Sequence, residues 1–184
     1  TAGRCDEAEQ MSSAEWKVFK DRITTVAKIG TEEYGLTVGI HAHAAGFIDF
    51  EPEIYRLLEE VDESYLKICF DTGHHSYAGF DPVSFIRRCI QRISYMHFKD
   101  IDPIVKEDVV SKRTDFYSAC GQGIFCNLGR GDVDFETIRE LLLENNFDGW
   151  CTVEQDCDPE GKTSPLDDAK INRAYLQSIG FTGR

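Results

Sequence analysis

No apolar run in this 184-residue sequence approaches the ~20 residues needed to span a bilayer. The first ten residues, Thr1 to Gln10, are polar, lack the apolar core of a secretory signal and read as a tail. Thr1 in place of a starting methionine fits a processed or partial product. Positive charge is scarce, with 20 Lys+Arg against 33 Asp+Glu and a formal net charge of −13. That balance argues against nucleic acid, whose phosphates demand a cationic surface, and against docking on anionic lipid. Charges of both signs are scattered along the chain, so the acidity reads first as solubility. It suits a small polyol or a cation better than a polyanion. Paired cysteine motifs are missing too. Cys5, Cys69, Cys89, Cys120, Cys126, Cys151 and Cys157 are odd in number and match no C-x-x-C pattern. Free thiols in a reducing cytosol are the simplest account, so a cytoplasmic location is expected. Fixed-period repeats and low-complexity tracts are also absent.

What is present is an alternation of short apolar strands with amphipathic helices, the pattern of a parallel α/β fold. Ser12-Ser13-Ala14-Glu15 reads as a capping box opening a helix to about Glu33, with Trp16, Phe19, Ile23, Val26 and Ile29 on one face. Gly35 breaks it, and Leu36 to His41 predicts a strand. Pro52 starts a helix carrying Ile54, Leu57 and Leu58, followed by a strand over Tyr65 to Asp71. Asp81-Pro82 caps a helix to about Arg92, and Ile93 to Phe98 is the third strand. The stretch from Asp100 to Asp132 reads as irregular. Its Gly121 to Gly131 portion lacks the residue order of a phosphate loop and reads as a mobile loop or lid. Asp134 then caps a helix through Asn145, Trp150 to Val153 is a fourth strand, and a last helix runs from Pro165 to Ile179. Four strand–helix units behind a leading helix make half of the cylinder that a (β/α)8 barrel of about 250 residues closes. Residues 11–184 are therefore expected to form half of such a TIM-type barrel. Half a barrel leaves two open sheet edges and an uncovered inner face, which something should cover.

All five histidines fall where strands end: His41 and His43, His74 and His75, and His97. Carboxylates accompany them, namely Asp49, Asp71, Asp100 and Glu154. In parallel α/β folds the C-terminal strand ends share one face, where active sites gather. Asp71, His97, Glu154 and one of His41 or His43 could thus meet at one point. Carboxylate oxygen with imidazole nitrogen suits Mn²⁺, Co²⁺, Zn²⁺ or Fe²⁺. Singly, each residue has a plainer role: Asp71 as a helix cap, Glu154 as a solvated carboxylate, a strand-end histidine as a hydrogen-bonded spacer.

Several blocks carry a resemblance: Gly39-Ile-His-Ala-His43, Phe70-Asp-Thr-Gly-His74 with Gly79-Phe-Asp-Pro82, His97-Phe-Lys-Asp100, Gly121 to Asp134, and Gly149-Trp-Cys-Thr-Val-Glu-Gln-Asp156. In this order they resemble the second half of the inosose dehydratases, within the wider xylose isomerase-like group of sugar isomerases and epimerases. The resemblance covers nearly the whole chain from Met11. It implies Asp71, His97 and Glu154 as ligands of a divalent metal, with Mn²⁺ or Co²⁺ foremost. His41 falls where the isomerases carry a ligating glutamate, which makes it the fourth ligand. His43 becomes the base and, with Glu154, a catalytic candidate. His74, Lys99 and Asp49 become candidates for holding substrate, although surface exposure is an equal reading of Lys99. Asp100 would orient Lys99 or cap a loop, and Gln155 and Asp156 would fix Glu154.

A cation holding a ketone oxygen acidifies the neighbouring C–H bond, and a neutral histidine can take that proton near neutral pH. Loss of the β-hydroxyl as water then completes dehydration of a keto-polyol such as 2-keto-myo-inositol (inosose). Returning the proton elsewhere gives aldose–ketose isomerisation or epimerisation instead. The remaining alternative is a catalytically silent half-barrel acting as a binding or assembly module. The first strands of the family barrel have no counterpart here. Activity would therefore need another chain, a missing N-terminal half or a homo-oligomer.

Overall fold

A computed structural model describes residues 11–156 and 164–182; Cys5, Cys157 and the tail 1–10 lie outside the described residues. Helix α1 (Ser13–Tyr34) begins at a capping box in which Ser12 and Glu15 satisfy one another's backbone amides. It ends at Gly35, whose φ of 63° is the left-handed conformation that a residue without Cβ adopts at little cost. Its buried line runs through Trp16 and Ala27 to Gly30, which packs on Val38, while Phe19 and Ile23 are partly buried. Val26 and Ile29, expected on the buried stripe, are 59% and 42% exposed. The helix is turned so that its smallest residues face the sheet.

Four strands follow the alternation in the sequence: β1 (Val38–His41), β2 (Leu66–Asp71), β3 (Ile93–Phe98) and a later strand, Trp150–Val153. They form one parallel sheet in that order, with the first and last strands at its edges. Between them lie α2 (Glu51–Glu60), α3 (Thr72–Tyr77) and α4 (Pro82–Cys89), the last continued by a 3-10 turn at Ile90–Arg92. The stripe Ile54, Leu57 and Leu58 is buried as expected, and Phe85 stacks on Phe70 at 4.7 Å.

The stretch expected to be irregular is built of regular elements. It holds β4 (Asp100–Ile101), α5 (Pro103–Ser111), α6 (Phe116–Gly121) and β5 (Phe125–Cys126), with β4 and β5 paired antiparallel. Asp102 and Asp115 cap the two helices. Ile101, Phe116, Ala119, Ile124 and Phe125 form a second small core. The reading of Gly121 to Gly131 as a mobile lid is therefore corrected. Gly129 and Gly131 donate their amides to Asp100 Oδ2 at 2.8 and 3.0 Å, while Ile101 and Val133 donate to Oδ1 at 2.9 and 3.1 Å. A Cβ on Gly131 would lie 2.3 Å from Asp100, so only glycine allows this approach. Helix α7 (Phe135–Glu144) buries Phe135, Ile138, Leu141 and Leu142, β6 is the strand Trp150–Val153, and α8 (Pro165–Ser178) is the last described element.

One irregularity sets the register. Ile68 pairs with Ile93, but the next residue, Cys69, pairs with Tyr95, so Ser94 is an extra residue in β3. From there Asp71 stands opposite His97, and His97 opposite Thr152. Without this bulge the pleat would turn His97 to the helix side and Met96 inward. Gly149 accommodates it: a Cβ there would meet the Ser94 carbonyl at 2.5 Å.

His75 lies apart from the other histidines. Its ring packs against Phe70, Phe80 and Phe85, and its Nε2 is 3.2 Å from Glu51 Oε1. Burial pushes its pKa down to about 4. The folded state thus requires the neutral ring, whereas the unfolded ring titrates near ~6.5. This stability is present above ~6.5 and is lost as pH falls toward about 4. Between pH 7.5 and 5 the loss attributable to His75 is ~2 kcal/mol. Denaturant titrations at the two pH values should show a drop that is ~2 kcal/mol smaller in His75→Phe than in the wild type. An equal drop in both would show that His75 is not neutral in the fold.

Candidate metal centre

The C-terminal ends of all four sheet strands bring polar side chains to one place. Asp71 ends β2, where its Oδ1 accepts from the His74 amide at 2.8 Å and caps α3. The plain reading of Asp71 as a cap is correct for one of its oxygens. The other, Oδ2, faces inward, 3.6 Å from His41 Nε2 and 3.5 Å from His97 Nδ1. These three atoms, His41 Nε2, Asp71 Oδ2 and His97 Nδ1, are buried and make no well-aligned hydrogen bond, although Asp71 and His97 have ion-pair contacts with Lys99 and Glu154. The side chains offer ligand atoms within 4.8 Å of one another, a set able to hold a metal ion. Buried polar atoms are nearly always partnered by hydrogen bonds, so three that converge without one form a set whose needs a cation could meet. The fit is on the donor atoms themselves: one hard oxygen and two imidazole nitrogens, with the further ring nitrogen of His97 turned away to Cys69.

Glu154 follows β6, its amide donating to Phe98 O at 3.1 Å. Its Oε2 lies 2.6 Å from His97 Nδ1, and its Oε1 accepts from Lys99 Nζ at 2.9 Å. Glu154 belongs to a second metal-capable group with Asp71 and His74. The His97 ion pair, with Lys99, holds its carboxyl down at about 2 against burial. Burial opposes the Asp71 anion, but His41, His97, His74 and Lys99 outweigh it and keep that carboxyl well below the ordinary range. Contacts with Asp71, Cys69 and Glu154 raise His97 to about 12.

Lys99 is 1% exposed, so the reading of it as a surface residue is corrected. Its Nζ donates to Glu154 Oε1, to Asp156 Oδ2 at 2.9 Å and to His74 Nε2 at 3.1 Å, and lies 3.4 Å from Asp71 Oδ2. Gly73 makes room for its stem, since a Cβ there would meet Lys99 carbons at 2.5 to 2.8 Å. Burial pushes the His74 pKa down to about 3, with Asp71 opposing and Lys99 assisting. His43 packs against His74 with the rings tilted and centroids 3.9 Å apart, and its Nδ1 lies 2.8 Å from the Ala44 carbonyl. A carbonyl only accepts, so Nδ1 carries the hydrogen and Nε2 of the neutral ring keeps its lone pair. Asp49 is buried in the turn after β1, accepting from the Ala45 amide at 3.2 Å. Asp100 caps the loop described above. Gln155 Oε1 accepts from Asn172 of α8 at 3.0 Å, a tie between α8 and the segment holding Glu154 that sequence reading did not connect to Asn172.

The profile of the xylose isomerase-like TIM barrel family matches residues 2–179. The chain belongs to that family. Among curated relatives of this xylose isomerase-like barrel, the inosose dehydratase of Clostridium beijerinckii is 32% identical over 178 residues, covering 96% of this chain and 59% of its own length. That of Geobacillus kaustophilus is 33% identical over 171 residues, covering 93% and 55%. The chain thus spans a little over half the length of the curated relatives it matches. Among solved structures, the probable 3-DHS dehydratase AsbF of Bacillus anthracis aligns with a TM-score of 0.71 at 21% identity, covering 95% of this chain and 60% of that one. The IOLI protein with a bound zinc atom aligns with a TM-score of 0.67 at 16% identity, covering 93% and 58%. At those identities the likeness speaks for the barrel fold. Among the described residues no helix is long and apolar enough to cross a membrane.

Proposed function

We propose that the chain carries the metal-binding half of a hydro-lyase acting on a small keto-polyol of the inosose type. The observation that carries this reading is the convergence of His41 Nε2, Asp71 Oδ2 and His97 Nδ1, buried and without a well-aligned hydrogen bond, at the strand ends. Glu154 completes the ligand set from β6. A divalent cation bound there, with Mn²⁺ or Co²⁺ foremost and Zn²⁺ or Fe²⁺ also suited to these donors, supplies Lewis-acid polarisation of a substrate carbonyl.

The chain's own groups do the rest. His43 Nε2, its lone pair set by the Ala44 carbonyl, takes the proton from the carbon next to the carbonyl. That proton and the hydroxyl on the β carbon together account for the water lost. Lys99 keeps Glu154 and Asp156 in place and presents its ammonium beside His74, where substrate hydroxyls would bind. Asp49 braces the turn that carries His43. Isomerisation and epimerisation share the first proton transfer; the inosose dehydratase relatives favour dehydration. The protein of which residues 11–184 form the site-bearing half is taken to work in the cytoplasm, with its open β1 and β6 edges covered by further barrel strands or a second copy.

Incubating the metal-loaded protein, its barrel completed by the further strands or a second copy, with 2-keto-myo-inositol should produce ultraviolet absorbance from the enolised dione. Stoichiometric metal without product would remove the dehydratase reading, and no metal at all would favour a silent module. His43→Ala should retain wild-type metal content and lose turnover by about 100-fold or more. Undiminished turnover in that variant would remove His43 as the base.

A further inference from the structure

Beneath the ligands, one step down the sheet, lies a layer that none of the roles above uses. The register places Cys69 opposite His41 on one side and Tyr95 on the other, and the pleat points Cys69 to the same face as Asp71. Cys69 Sγ lies 3.6 Å from His97 Nε2. Tyr95 meets the His97 ring edge-on at 5.5 Å, and its hydroxyl bonds the Thr152 hydroxyl on β6. The His97 ring is thus fixed from below by sulfur on its Nε2 and by an anchored phenol on its edge.

We propose that Cys69 is a positioning residue for the metal centre, accepting the Nε2–H of His97 so that Nδ1 is the nitrogen turned to the cation. The chemistry follows from the two ring nitrogens. A neutral imidazole carries one hydrogen, and a ligating nitrogen must present a lone pair. If Nδ1 ligates, Nε2 holds the hydrogen and needs an acceptor. Ligating histidines commonly find a carboxylate or carbonyl there; here the neighbour is a sulfur on the strand that also supplies Asp71. One strand thereby delivers an anionic ligand and, two residues earlier, the orienter of its neighbour's imidazole. This inference rests on the proposed metal reading, so its test has an arm that needs no metal.

Co²⁺ binding to the wild type, Cys69→Ala and Cys69→Ser is to be followed by calorimetry and by the visible Co²⁺ spectrum, with thermal unfolding as a check on the fold. Cys69→Ala is expected to bind Co²⁺ about 10- to 100-fold more weakly, with an altered spectrum and near wild-type unfolding. Cys69→Ser, whose hydroxyl also accepts, should recover most of the affinity and spectrum. Wild-type affinity and spectrum in Cys69→Ala would overturn the proposal, as would a serine variant as weak as alanine. If even the wild type takes up no Co²⁺, the metal reading fails, and imidazole ¹⁵N spectra of the metal-free protein decide the role of Cys69. The His97 Nε2–H should resist exchange in the wild type and Cys69→Ser and be lost to exchange in Cys69→Ala. Identical exchange in all three would overturn it.

Discussion

Asp71→Asn is expected to lower divalent-metal affinity by about 100-fold or more, equivalent to ~2.7 kcal/mol, while leaving the protein folded. Asparagine keeps an oxygen for the His74 amide at the start of α3, so the cap survives. What is lost is the anion at Oδ2, the atom within 3.6 Å of both His41 Nε2 and His97 Nδ1. With it goes the charge that best offsets a cation at that depth, since Asp71 is 3% exposed. His97→Ala should fall by a similar factor through loss of a nitrogen donor. Metal content after dialysis and calorimetric titration with Mn²⁺ or Co²⁺ are the measurements. Full occupancy in both variants would place the cation elsewhere and take the catalytic proposal with it.

Asp100→Ala should cost about 3–5 kcal/mol of stability, read by denaturant unfolding. The carboxylate is fully buried and accepts four backbone amides, from Ile101, Gly129, Gly131 and Val133. Removing it strands four donors in a place that water reaches poorly, and each buried orphan amide carries a penalty. Burial pushes the Asp100 carboxyl above its ordinary value, but the four amides favour the anion. Complete loss of a cooperative transition would agree with this account. A loss below about 1 kcal/mol would show that the 129–133 segment finds other acceptors.

The parallel strands, their order and the helix stripes of α2 and α7 were legible because alternation and 3.6-residue periodicity are local signals. So was the gathering of His41, Asp71, His97 and Glu154, because parallel strands put their C-terminal ends on one face. Helix α3 was not legible: all six of its residues are buried, so it has no polar face to give it a period. Helix α5 had a signal in Asp102-Pro103, the same opening as Asp81-Pro82, but buries only Val109 and so shows no stripe. Residue type alone could not choose between a surface and a buried Lys99, because its partners Asp71, Glu154 and Asp156 come from distant segments. The anchoring of Gly129 and Gly131 was hidden for the same reason, as their acceptor lies about thirty residues earlier.

The extra residue in β3 acts as a phase shifter. Upstream of Ser94 the strand keeps one inside–outside frame, downstream the opposite one, and the placement of His97 and Lys99 depends on the second. A one-residue deletion between Ile93 and Tyr95 would therefore exchange His97 and Lys99 for Met96 and Phe98 in the interior without altering a single ligand. Grafting these ligands onto another parallel strand would fail in the same way unless the misfit residue, and the glycine that tolerates it, travelled with them.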